Sequence, residues 1–230
     1  MALFVALPFF GFWLGAQFGA ATSLLLLPAQ PVSPPTSGAG AAVWPGAAYY
    51  SDVAAWQTDQ RMDAGFSIAY PLDFSVDDRY GAGAAQTTTD WRFSANGVPG
   101  SIRLIITIPA ALEPQTNFRD ARLTVGDSAA PAAVASCLTP DIPAGPGAKS
   151  ATTTINGVPF SVFTFGDAGA GNLYQVTSYR TIHAGRCYAV EYAIHSAQIG
   201  NYPAEYGLRP FDQAFVADIL DRMARTFRFE

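Results

Sequence analysis

Residues 172–195 read NLYQVTSYRTIHAGRCYAVEYAIH, and the alternation within them decides the fold. Two runs of period-two patterning flank His183-Ala184-Gly185-Arg186, which predicts two antiparallel strands joined by a tight turn. If His183 pairs with Arg186, every other pair follows by subtraction, because a one-residue slip would turn each side chain to the other face. Tyr179 then faces Val190, Thr177 faces Tyr192, Ser178 faces Glu191 and Tyr174 faces His195. One side of the hairpin carries Leu173, Tyr179, Tyr188, Val190, Tyr192 and Ile194. The other carries Tyr174, Val176, Ser178, Arg180, Cys187, Ala189, Glu191, Ala193 and His195, in which polar and small groups dominate.

Outward from this hairpin the same period continues. Asn156-Gly157 separates residues 152–155 from 158–165 as a second hairpin, and a turn over 167–171 leads into the first strand quoted above. Upstream, Phe66, Ile68 and Tyr70 alternate, Phe74 and Val76 resume after Pro71, and Trp91 and Phe93 read as another strand. An Asn96-Gly97 turn leads to Ile102, Leu104, Ile106 and Ile108, and a strand over 118–125 precedes a short helix over 131–137 and a Gly- and Pro-rich loop over 139–147. Downstream, residues 210–225 predict the one long helix, with Pro210 at its start and Phe215, Val216, Ile219, Leu220 and Met223 on one stripe. Residues 226–229 then read as a closing edge strand.

The amino-terminal part is different in kind. No charged side chain occurs among residues 1–51, and residues 2–27 are almost all apolar, long enough for a tilted transmembrane helix of roughly 20 residues. The basic flank and short apolar run of an ordinary signal peptide are missing, so a retained signal-anchor is expected over 1–27, with a cleaved signal peptide as the alternative. Residues 28–59 are assigned to a flexible Pro/Ala/Gly-rich linker and 60–230 to one α+β domain, a mainly antiparallel sheet packed by helices.

The chain has 230 residues, a net charge of −5 and a single lysine, Lys149. With no basic stripe to neutralise phosphates, nucleic acid is excluded as a partner. Half of the residues are hydrophobic, which excludes wholesale disorder.

The segments GFSIAYPLDFSV near the domain start, NGVPFSVFTF, the long hairpin and a closing amphipathic helix running into TFRF resemble the PsbP/Mog1-like domains of small exported or membrane-anchored bacterial proteins. The resemblance covers roughly residues 60–230 and rests on element order and a few aromatic positions. It implies an antiparallel sheet between helices and a non-enzymatic accessory or binding role, and no family site residue maps onto this sequence.

Two cysteines, Cys137 and Cys187, stand fifty residues apart in a chain with an export-type leader, so a disulfide is expected, two buried thiols being the alternative. Closing that loop would contribute roughly 3 to 4 kcal/mol by the chain-entropy argument. On the polar side of the long hairpin Tyr174, Arg180, Glu191 and His195 form a candidate binding patch, which competes with the plainer reading of a cross-strand ion pair. His183 falls in a turn and is expected to be solvated. No metal site and no cofactor are expected, because two His and two Cys have no short spacing between any of them. The Gly-rich run 166–171 joins two strands and opens no helix, so it is a turn and not a phosphate loop.

Together these readings predict a single-pass membrane protein whose C-terminal domain lies outside the cytoplasm, or a secreted or periplasmic one if the leader is cleaved. The domain is expected to act as a non-enzymatic binding or accessory module at the cell envelope, its partner an envelope protein or a small ligand. The rival expectations are a hydrolase-like enzyme built around Glu191, His195 and Tyr174, and a structural subunit of an envelope complex.

Overall fold

A computed structural model describes residues 47–77, 79, 86–88, 90–93, 97–140 and 149–230. The anchor expected over 1–27, most of the linker, Asn96 of the expected turn and most of the 139–147 loop lie outside the described residues. Among the described residues no helix is long and apolar enough to cross a membrane.

The described elements in chain order are helix α1 (Ala47–Ser51), strands β1 (Gln57–Arg61), β2 (Phe66–Tyr70), β3 (Ser75–Val76), β4 (Gln86–Thr88), β5 (Gly100–Ile108) and β6 (Phe118–Ser128), then helix α2 (Pro131–Ser136). Strands β7 (Lys149–Ile155), β8 (Val158–Gly169), β9 (Asn172–His183) and β10 (Arg186–Ala197) follow, and helix α3 (Gln213–Thr226) and strand β11 (Arg228–Phe229) close the chain. The architecture is α+β and mainly antiparallel. An eight-stranded sheet runs in the order β3-β5-β6-β10-β9-β8-β7, with β4 also on β5, and a three-stranded sheet runs β1-β2-β11.

The register of the long hairpin is the one obtained by subtraction. His183 pairs with Arg186, Tyr179 with Val190, Ser178 with Glu191 and Tyr174 with His195. The turn works because Ala184 and Gly185 both take positive φ, 47° and 74°, the backbone twist that two-residue hairpins require. The same geometry recurs at Asn156-Gly157 and at Ala170-Gly171. That last turn is shorter than the expected 167–171: β8 runs on to Gly169 and pairs with Asn172, because two residues suffice to reverse the chain.

One face of the large sheet holds the main core. Leu104, Ile106, Leu123, Val125, Val190 and Tyr192 meet Val216, Ile219, Leu220 and Met223 of α3, with Phe66 and Ile68 of the small sheet completing the cluster. Helix α3 starts later than expected. Its N-cap is Asp212, whose carboxylate accepts from the Phe215 amide, so Pro210 stays outside the helix. Two i,i+4 ion pairs run along it, Asp218 with Arg222 and Asp221 with Arg225.

Among the described residues the first element is the one at Ala47–Ser51, inside the stretch assigned to the linker. Trp56 is buried and Tyr50 stacks on Phe74, so this segment packs on the core although its composition carries no periodicity. Trp91 and Phe93 do not form a strand. They lie in a bend and a turn, and Trp91 sits over Gly100 and Gly126, where a Cβ would come within 2.4 Å and 2.3 Å of Trp91 atoms. The missing side chains of two neighbouring strands leave room for one indole, which takes the segment across the sheet instead of alongside it.

Candidate functional site

The sheet face away from α3 is written by the pairing. Because Glu191 lies between Ser178 and Thr124, and Thr124 pairs with Ile105, these residues form one cross-strand row. The adjacent row holds Ala193 between Val176 and Arg122. Over this floor the 90–93 segment stands as a wall: the Phe93 ring packs against Phe165 at 4.4 Å, tilted by 34°, and the Trp91 indole donates to the Val98 carbonyl at 3.0 Å. Between wall and floor is a cleft of about 530 Å³ that includes Trp91, Phe93, Ile105, Arg122, Thr124 and Glu191.

Glu191 is the chemically distinctive group there. Its Oε1 accepts from the Phe93 amide at 2.8 Å, a contact between residues 98 apart in sequence. Its Oε2 is enclosed and has no hydrogen-bond partner among the described residues. Burial raises the carboxyl above its ordinary value, and Ser178, the Arg180 charge, the Phe93 amide and Arg122 offset only part of that rise. A buried carboxyl oxygen without a partner is costly, and such groups concentrate at binding sites.

The four residues of the expected patch fall into two clusters. Arg180 lies beside Glu191 as its diagonal neighbour and is fully buried. Its Nε donates to Ser178 Oγ at 2.9 Å, and its guanidinium lies 5.0 Å from the Phe163 ring. Tyr174 and His195 stack at 4.6 Å, with His195 Nδ1 3.1 Å from Asp120 Oδ2 and Nε2 2.9 Å from Asn172 Oδ1. Four residues of strand separate His195 from Glu191, roughly 13 Å, so the structure does not bring Glu191, His195 and Tyr174 into one constellation. Among the described residues no group of three His, Cys, Asp or Glu is placed to hold a metal.

Cys137 and Cys187 form a disulfide, with Cα atoms 5.6 Å apart. It ties the end of α2 to β10 within a second small core of Trp91, Ile102, Ala133 and Ala189. Arg92 links this core to the cleft: its guanidinium lies 5.1 Å from the Trp91 ring, and Nη2 donates to Ser136 Oγ at 3.2 Å. His183, expected to be solvated, is exposed but stacks on Phe229 at 3.8 Å, because β11 brings that ring to the turn.

Sequence reasoning missed Phe93, Arg122 and Thr124 as parts of this site. The pairing of β6 with β10 would have found Arg122 and Thr124, since it sets them on the Glu191 face. The contribution of Phe93 is a main-chain amide, which no side-chain pattern announces.

No protein-family model and no curated protein sequence matches the chain. Among solved structures, a 1.50 Å crystal structure from Bacteroides thetaiotaomicron VPI-5482 is similar at a TM-score of 0.35 and 10% identity, over 73% of this chain and 46% of that chain. The chain thus spans about half the length of the solved protein it matches.

Proposed function

We propose that the chain is an extracytoplasmic binding module of PsbP/Mog1-like type, held at a membrane by residues 1–27, with a small ligand seated in the Glu191 cleft. The observation that carries this reading is Glu191 Oε2, enclosed in a residue that lines the cleft and without a partner among the described residues. Leaving a buried polar atom unsatisfied costs stability; Glu113 Oε1 is left so as well, but Glu191 is the one of the two that lines the cleft. A ligand donor would supply the missing hydrogen bond. The disulfide supports an oxidising compartment, which fits export of the folded domain. The antiparallel sheet with its closing helix is the architecture that the family resemblance implies. A hydrolase-like role draws no support, since Glu191 and the Tyr174–His195 stack belong to separate clusters.

The test is native mass spectrometry and thermal-shift screening of the full chain in a mild non-ionic detergent, parent beside Glu191→Ala. A small molecule should co-purify with or stabilise the parent and fail to do so with the variant. If no compound in a chemically diverse set stabilises the parent in a Glu191-dependent way, the binding reading is wrong.

A further inference from the structure

We propose, resting on the reading of this cleft as a ligand site, that it takes a free α-amino acid with an apolar side chain, its ammonium on Glu191 Oε2 and its carboxylate on Arg122. Glu191 and Arg122 are opposite charges of one cleft that do not form an ion pair with each other. Arg122 pairs with Ala193, and Glu191 pairs with Thr124, so the two are diagonal neighbours on one sheet face. Long side chains so placed are within reach of each other, and opposite charges there ordinarily pair. Here, among the described residues, Glu191 keeps an unpartnered oxygen, and Arg122, an exposed side chain of the same cleft, makes no hydrogen bond or ion pair.

What fits between them must offer a donor to the carboxylate and an acceptor to the guanidinium on neighbouring atoms. An ammonium and a carboxylate on one carbon do this, and the planar guanidinium fork favours a carboxylate over a neutral acceptor. The remaining substituent then lies against Phe93, Ile105 and Ala193, all half-buried and apolar. A cleft of about 530 Å³ falls within the range of small-ligand sites and holds an amino acid with an aromatic side chain. Burial raises the Glu191 carboxyl although Arg180 and Arg122 face it from the sheet, and Arg79, Asp90 and Arg92 line the same cleft; the fraction of Glu191 that is protonated in the empty cleft gives its proton to solvent when the ammonium arrives, and binding tightens with rising pH.

The test is isothermal titration of the full chain in non-ionic detergent with L-phenylalanine, N-acetyl-L-phenylalanine and phenethylamine, in two buffers of different ionisation enthalpy. L-phenylalanine should bind, with proton release, and each analogue should bind at least ten-fold more weakly. Arg122→Met should lose ten-fold or more for L-phenylalanine and nothing for phenethylamine. Glu191→Gln should cease to discriminate against the N-acetyl form. Arg122 is exposed, so its variant retains the test even if Glu191→Gln is poorly folded. Equal binding of the analogues, or no binding of L-phenylalanine, overturns the assignment. If a compound of other chemistry then binds in a Glu191-dependent way, the cleft reading stands and only the ligand class is lost. If none does, both fall.

Discussion

Trp91 rests on Gly126 so closely that a Cβ on that glycine would lie 2.3 Å from the Trp91 carbonyl oxygen. The contact is to main chain and cannot be relieved by turning a side chain. Gly126→Ala should therefore lift the 90–93 segment from the sheet and cost about 1 to 3 kcal/mol, the usual range for overpacking. Because the Phe93 amide would leave Glu191 with it, urea melts should show the loss of stability and titration with L-phenylalanine a loss of affinity in the same variant. Unchanged affinity would separate the wall from the site.

Glu191 should make stability depend on pH. Burial raises its carboxyl in the folded chain, so the folded state holds the proton more tightly than the unfolded state. The stabilisation is complete below the ordinary glutamate range and is lost as pH rises through the folded value. Glu191→Gln cannot ionise and escapes that loss. The difference in melting temperature between variant and parent should therefore grow in favour of the variant from about pH 4 upward. A difference that stays constant would mean Glu191 is not raised.

The disulfide is predicted to steady both α2 and the cleft wall. Replacing Cys137 and Cys187 together by Ser should cost roughly 3 to 4 kcal/mol, the chain-entropy value for a loop of this size. Intact mass before and after reduction checks that the bridge is present, and melts with and without reductant check its contribution. Arg92, between Trp91 and Ser136, should transmit part of the loss to the cleft.

The opposite face offers a control. Tyr179 donates its hydroxyl to Asp221 of α3, and burial, with the Asp221 hydrogen bond next, raises the phenol above its ordinary value. Tyr179→Phe should cost about 1 kcal/mol, because the half-buried Asp221 can take water in place of the phenol. Amino-acid binding should not change. An altered affinity would show that the two faces communicate through the sheet.

The parts of the fold legible in the sequence are those set by local geometry. The turn at 183–186 determines the pairing from Tyr174 to His195, and the stripe ending at Met223 determines the side that α3 buries. The alternation of Trp91 and Phe93 misleads, because their placement depends on Gly100 and Gly126, which are distant in sequence and carry no side chain to signal a contact. Trp56 was equally hard to read, since its burial depends on β1 joining β2 at the end of a stretch with no pattern of its own. Within the site, Glu191 and Arg180 could be placed on one face by counting. That His195 belongs instead with Asp120 and Asn172 follows from β6 and from the Ala170-Gly171 turn, which the glycines and alanines of 167–171 make look longer than it is.

The two-residue link at Ala184-Gly185 carries a further consequence for how this chain can change over time. Strand β10 has a working surface on each side: Tyr192 belongs to the oily interior and Glu191 to the cleft. A lost or gained codon in that link would set two demands against each other: the pairing is kept only with a different turn type, and a slipped pairing would bury a carboxylate among the α3 side chains and turn tyrosines outward. Length variation at this corner is therefore tolerated only where the new loop preserves the phase of β10.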